Sequence, residues 1–141
     1  MKGNQSTIAE LCNNPLNIRF NPANQWQGQQ GCSPHGFCIF KNIAYGFRAA
    51  YVLLSNYIKN DYNTIEKIIN RWAPPSENNT KEYIRFVCDD CILDPDELLF
   101  NKSIHDYWTL IMIIRAMAKM ESGTWYDEQQ INLYINYPHR Y

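Results

Sequence analysis

The character of the chain changes at one point. Up to Lys41 it is made of short apolar pieces, such as Ile18 to Phe20 and Phe37 to Phe40, set among Asn, Gln, Gly and Pro; from Ile43 onward apolar residues recur at spacings of three and four. The first pattern belongs to small strands and loops and the second to amphipathic helices, so neither a uniform bundle nor a uniform sheet can accommodate both. The pattern predicts an α+β domain, mostly helical, with a small β region over 14 to 41 near the N-terminus. At 141 residues the chain has room for one core and not for two, so residues 1–141 read as a single domain without repeats or an internal linker.

Start and stop signals divide the helical part. Phe47, Ala50, Tyr51, Leu54 and Ile58 share one face of a helix over 43 to 59. Asn63-Thr64 starts a second, with Ile65, Ile68 and Ile69 as its buried face, and Pro74-Pro75 forbids its continuation. Asn79-Thr80 caps a third, in which Tyr83, Ile84, Val87 and Cys88 share a face as far as Asp89 and Asp90. Asp94-Pro95 predicts one further turn with Leu98 and Leu99 buried. A long helix from about Ser103 to Ser122 then carries Tyr107, Leu110, Ile111, Ile114, Met117 and Ala118 on one stripe and stops at Gly123.

Composition narrows the functional classes. Formal charge is -1 with 19% charged residues, which lacks the basic footprint of a nucleic-acid binder; no nucleic-acid partner is expected. No apolar run approaches the roughly 20 residues of a membrane span, and Met1 to Glu10 lacks a signal-peptide core, so the chain reads as soluble and without its own export signal. Sixteen Asn and seven Gln supply hydrogen bonds without charge, and ten Tyr and four Trp supply flat faces with polar edges, a bias that suits neutral polar ligands such as sugars. Five cysteines include the pair Cys88 and Cys91, but Cys12, Cys32, Cys38, His35 and His105 are scattered, without the second pair that zinc requires; thiols at a helix end are expected first and a disulfide second, with no metal and no cofactor.

Glu121 is the first candidate for chemistry. At about 100° per residue it falls near Ile114 and Met117 on the apolar stripe, in the last turn of its helix. Partial desolvation there, together with the helix C-terminus, raises a carboxyl pKa, which is how a general acid for glycosidic cleavage is made. The competing reading pairs Glu121 with Lys119 or Arg115 on the surface. Glu10, four residues before Asn14-Pro15, is the alternative acid. Between the helices, the prolines hold Trp72 and the pair Glu77-Asn78, an arrangement equally suited to stacking on a sugar face and to plugging a core.

N-P-L-N-I-R at 14 to 19, W-x-G at 26 to 28, G-F-C-I-F at 36 to 40, G-F-R-A at 46 to 49 and I-I-N-R-W-A-P-P-S-E-N-N-T-x-x-Y at 68 to 83 together resemble a lysozyme-like family. Its members occur in phages, prophages and secreted bacterial effectors. The resemblance spans about residues 13 to 126. Leu16 departs from the usual glycine of the first motif, and Ile39 stands where transglycosylases commonly carry Gln. The resemblance implies a lysozyme-like fold and cleavage of the β-1,4 bond between N-acetylmuramic acid and N-acetylglucosamine. Met120-Glu121-Ser122-Gly123 is similar to the E-S-G of the transglycosylase motif but follows the β region, which implies a circularly permuted order; Glu10 with Asn14-Pro15 keeps the usual order on a helix of one turn. Asn17, Tyr45, Trp72, Glu77 and Asn78 are expected to line the sugar cleft.

The leading expectation is thus a peptidoglycan-cleaving enzyme acting on the glycan strand, as a phage lysis or virion protein or an antibacterial effector. The alternative is a non-catalytic virion structural or cell-wall-binding protein of the same fold. Either would be made in the cytoplasm and reach the periplasm or wall through a holin, a virion or a secretion apparatus, and an effector would be accompanied by an immunity protein. No Asp or Glu lies between Glu10 and Asp61, so the β region offers no second carboxylate, and lytic transglycosylase chemistry is expected over hydrolysis.

Overall fold

A computed structural model describes residues 6–74 and 79–137. Six helices and one two-stranded sheet occur among them, in the order α1 (Ile8–Leu11), β1 (Gln29–Cys32), β2 (Cys38–Phe40), α2 (Ile43–Lys59), α3 (Ile65–Trp72), α4 (Thr80–Cys91), α5 (Ile104–Ser122) and α6 (Glu128–Asn136). The domain is therefore α+β and mostly helical. No helix among the described residues is long and apolar enough to cross a membrane.

Side-chain caps fix where the helices begin. Asn42, Thr64, Asn79 and Ser103 each accept a backbone N–H of the first turn that would otherwise lack a partner, opening α2, α3, α4 and α5. Helix α5 ends in a left-handed residue, Gly123, as the sequence predicts. Helix α4 ends the same way on Ile92 (φ 54°, ψ 52°), a β-branched residue whose side chain is 88% exposed.

Two expectations fail. Asp94-Pro95 opens the expected turn, but not a helical one, and of its two leucines only Leu99 is buried while Leu98 is 58% exposed. Beyond the turn bond from Glu97 N–H to the carbonyl of Asp94, Leu99 N–H donates to the carbonyl of Asn63 and Glu66 N–H to that of Pro95, so the segment is tied to the start of α3 rather than continued as a helix. In the β region, Ile18 to Phe20 contributes a single bridge, Arg19 to Phe37, and the strand that pairs with β2 is β1. Its antiparallel register sets Gln29 against Phe40, Gly31 against Ile39 and Cys32 against Cys38, with an irregularity between Gln29 and Gly31.

Helix α5 is the central element. Ile113 and Ala116 are buried as well as the expected stripe, so the helix is apolar nearly all round along its middle and packs against α1, α2, α4 and α6. Phe47 and Leu54 of α2, Ile65, Ile68 and Ile69 of α3, and Val87 of α4 complete the core around it. Cys88 and Cys91 are buried free thiols at the end of α4, pushed up to about 11 and about 12 by burial.

Helix α2 is held against the 13–15 turn by an absence. A Cβ on Gly46 would lie 2.1 Å from the carbonyl oxygen of Asn13 and 2.7 Å from Cδ of Pro15. Leu16, beside it, is fully buried with its backbone outside the left-handed region, so the departure from glycine costs no strain there. Gly46→Ala must push backbone against backbone and is expected to destabilise the fold by about 3 kcal/mol, read as a lowered denaturant midpoint; an unchanged midpoint would show that the turn yields freely.

Candidate functional site

The 14–19 turn is built around a buried amide. Asn14, with no exposed surface, donates from Nδ2 to the carbonyls of Ile18 and Cys38 (3.0 Å each) and accepts Ile18 N–H at Oδ1 (2.9 Å). This closes the turn and ties it to β2. Within it Asn17 takes a left-handed backbone (φ 54°), a conformation Asn tolerates, and its side chain is carried across to the end of α5. Asn17 Nδ2 donates both to the backbone carbonyl of Glu121 (3.2 Å) and to its carboxylate Oε1 (3.1 Å). Because a carbonyl can only accept, the first of these bonds fixes which way the amide faces.

Two further donors reach the other oxygen. Trp72 Nε1, from the last residue of α3, donates to Oε2 at 3.3 Å, and the hydroxyl of Tyr83, from the first turns of α4, donates to it at 3.0 Å. Thr80 Oγ1 donates to the carbonyl of Ala73, joining the two helix ends across the proline-bearing connection that separates these residues. Burial pushes the Tyr83 phenol well above its ordinary range, and the Glu121 charge acts in the same direction; it stays a hydroxyl, able to donate or to accept.

The pairing of Glu121 with surface cations does not occur. Arg115 bonds the carbonyl of Tyr126 and Asp90, and Lys119 bonds the carbonyl of Gly123. Glu121 instead opens onto a cleft of about 610 Å³ whose lining includes Asn17, Asn21, Asn24, Trp26, Tyr57 and Trp72. Glu121 is the one carboxylate among the described lining residues. Trp72 is half-buried, its ring set edgewise against Tyr57 (centroids 6.5 Å apart), so it serves the cleft wall and the carboxylate at once.

The other expected site residues are placed differently. Glu10 forms a capping box with Thr7 at the start of α1 and accepts Thr124 Oγ1 at 3.1 Å, tying α1 to the segment just past Glu121. The Thr7 backbone N–H holds its carboxyl below the usual carboxylate range. Tyr45 lies outside the cleft, its ring against Gly28, where a Cβ would come within 2.2 Å of it, and edge-on to Tyr137. Glu77 and Asn78 lie outside the described residues. Tyr83, Tyr57, Trp26, Arg19 and Arg71 are site residues that the sequence reading missed. Tyr83 hid in the apolar face of α4, and its only signal was its place at the end of the 68 to 83 block.

A mostly helical α+β domain carrying one carboxylate, held by three donors from three segments at the floor of a polar and aromatic cleft, is the class that fold and site define. No known family profile matches the chain. It is 36% identical over 123 residues, 82% of this chain and 73% of the relative, to Protein P5 of Pseudoalteromonas phage PM2. The chain belongs to the family of that phage protein.

Glu10 is expected to act on stability alone. Its folded pKa is depressed, so its contribution is present above the unfolded value near 4.5 and is lost as pH falls through the lower folded value. Glu10→Gln should lower stability by about 1 kcal/mol or less at pH 7, the range of a cap, with the two proteins converging in denaturant titrations as the pH falls below the depressed folded value.

Proposed function

We propose that the protein is a peptidoglycan-cleaving lytic transglycosylase of lysozyme-like, circularly permuted fold, with Glu121 as its catalytic acid and base. The observation that carries this reading is the convergence of Asn17, Trp72 and Tyr83 on that one carboxylate. A carboxylate whose only task is to end a helix does not need donors from three separate segments, whereas a proton-transfer group must be held in a fixed position.

The donors also make its two oxygens different. Oε2 accepts from both Trp72 and Tyr83, which occupies its lone pairs, while Oε1 accepts only from Asn17 and keeps one direction open. Oε1 is therefore the oxygen that carries the mobile proton. In the proposed reaction it protonates the bridging oxygen as the bond from the muramic C1 to that oxygen breaks. The 6-hydroxyl oxygen of the same sugar attacks C1, and its proton passes to the carboxylate, restoring the acid. The products are a free 4-hydroxyl and a 1,6-anhydro end, with no water consumed. The single carboxylate of the described lining supports this course over the two-acid schemes of hydrolysis. On this reading the protein works in the periplasm or wall after delivery by a holin, a virion or a secretion apparatus, the last with an immunity protein; membership of a phage protein family supports a phage setting.

Glu121→Gln should abolish lysis in a zymogram of purified peptidoglycan. It should also cost about 1 to 2 kcal/mol of stability, because one amide cannot accept at both ends and leaves a donor facing a donor. Mass spectrometry of wild-type digests tests the chemistry: anhydromuramic ends, lighter by one water, are expected, and exclusively reducing ends would overturn it. Binding to the wall without any cutting by wild-type protein would favour a non-catalytic wall-binding role.

A further inference from the structure

Two guanidinium groups in the cleft take no part in holding Glu121. Arg19 stands two residues beyond Asn17 and lies with Cζ 5.3 Å from the centre of the Phe37 ring. Arg71, one residue before Trp72 on α3, lies over Tyr62 (4.6 Å) and Tyr57 (5.3 Å), and its Nη1 donates to the Tyr62 hydroxyl at 3.2 Å. Stacking on an aromatic face sets the plane of a guanidinium and leaves N–H edges free for a ligand.

Among the described residues neither group forms an ion pair. Among the described residues the only ion pair joins Arg115 to Asp90, and the only carboxylate lining the cleft already accepts from Asn17, Trp72 and Tyr83. Arg19, Arg71 and Glu121 together leave the cleft with an excess of positive charge, in a chain whose formal net charge is -1. Amides and aromatic rings suffice to read a neutral sugar chain. Two oriented forks from two different elements fit a planar anion, since a carboxylate accepts from a guanidinium through two parallel bonds.

We infer that Arg19 and Arg71 are specificity-determining residues that make the cleft select a glycan bearing carboxylate substituents over a neutral glycan of the same backbone. The identity of the ligand as a glycan rests on the function proposed above; the selection of carboxylates rests on the two arginines. Each guanidinium binds a carboxylate arm of the strand while the sugar rings lie against Trp72 and Tyr57, and a strand without such arms loses both contacts.

The test uses insoluble peptidoglycan in two forms, one intact and one with its carboxyl groups converted to neutral amides by carbodiimide and ammonia. Co-sedimentation with Glu121→Gln protein reads binding without cleavage, and wild-type digestion reads turnover. Intact polymer should be bound about tenfold more tightly than amidated polymer, the scale of a charge-assisted contact. With both arginines changed to Gln the preference should vanish, and with both changed to Lys it should return in part. Circular dichroism and thermal melts confirm that each variant is folded, and single changes are used if the double variant is not. Equal binding to the two polymers, or a preference that survives Arg19→Gln and Arg71→Gln, would overturn the inference. Cleavage without carboxylate preference would leave the glycosidase reading standing and this one refuted. Arginine-dependent, carboxylate-dependent binding by a protein that cuts neither polymer would do the reverse.

Discussion

The buried amide of Asn14 is the interaction on which the rest of the site depends. Its three hydrogen bonds replace those that the 14–18 turn cannot make with itself and join that turn to β2. Remove the amide and the Ile18 N–H loses its acceptor in the core, at about 1 to 3 kcal/mol, while the Ile18 carbonyl keeps only the Cys38 N–H and the turn loses its bond to the Cys38 carbonyl. The same closure sets the left-handed backbone of Asn17 and so delivers its side chain to Glu121. The turn is short, but everything on one side of the carboxylate is positioned from it.

The other side is positioned by helix ends. Trp72 closes α3 and Tyr83 lies near the start of α4, so the two donors to Oε2 come from the places where helices are fixed by caps and by the bond from Thr80 to Ala73. Glu121 sits at the end of the most buried helix in the molecule. Charged and polar groups thus meet where three rigid elements terminate, which leaves little to reorganise when a ligand arrives.

Much of this was legible in sequence because caps and prolines are local chemistry. Asn63-Thr64, Asn79-Thr80, Ser103 and Gly123 announced their helix ends, and α2 runs over the residues its spacing predicts. What failed depended on partners far along the chain. Leu98 and Leu99 look alike in sequence, and only the bond from Leu99 to Asn63 decides which is buried. Helix α6 buries just Ile131 and Ile135, too few positions to show a period. Glu121 and Trp72 were found as residues, but Tyr83 was not, since a tyrosine on an apolar face gives no sign that its hydroxyl reaches a carboxylate. Tyr45 was misplaced for the converse reason: its polar edge suggested a ligand, while its ring is used against Gly28.

The unequal oxygens of Glu121 have a directional meaning. On the proposed reading, with Oε2 already accepting from an indole and a phenol, and Asn17 held by a backbone carbonyl, the exchanged proton would travel along the open direction at Oε1. A glycan strand bound as proposed would have a head and a tail, and its bridging oxygen would meet that line in one of the two orientations. On the proposed reading, the hydrogen-bond pattern around a single side chain would thus impose a polarity on the whole strand, and with it a sense in which successive bonds along a chain are brought to the same acid.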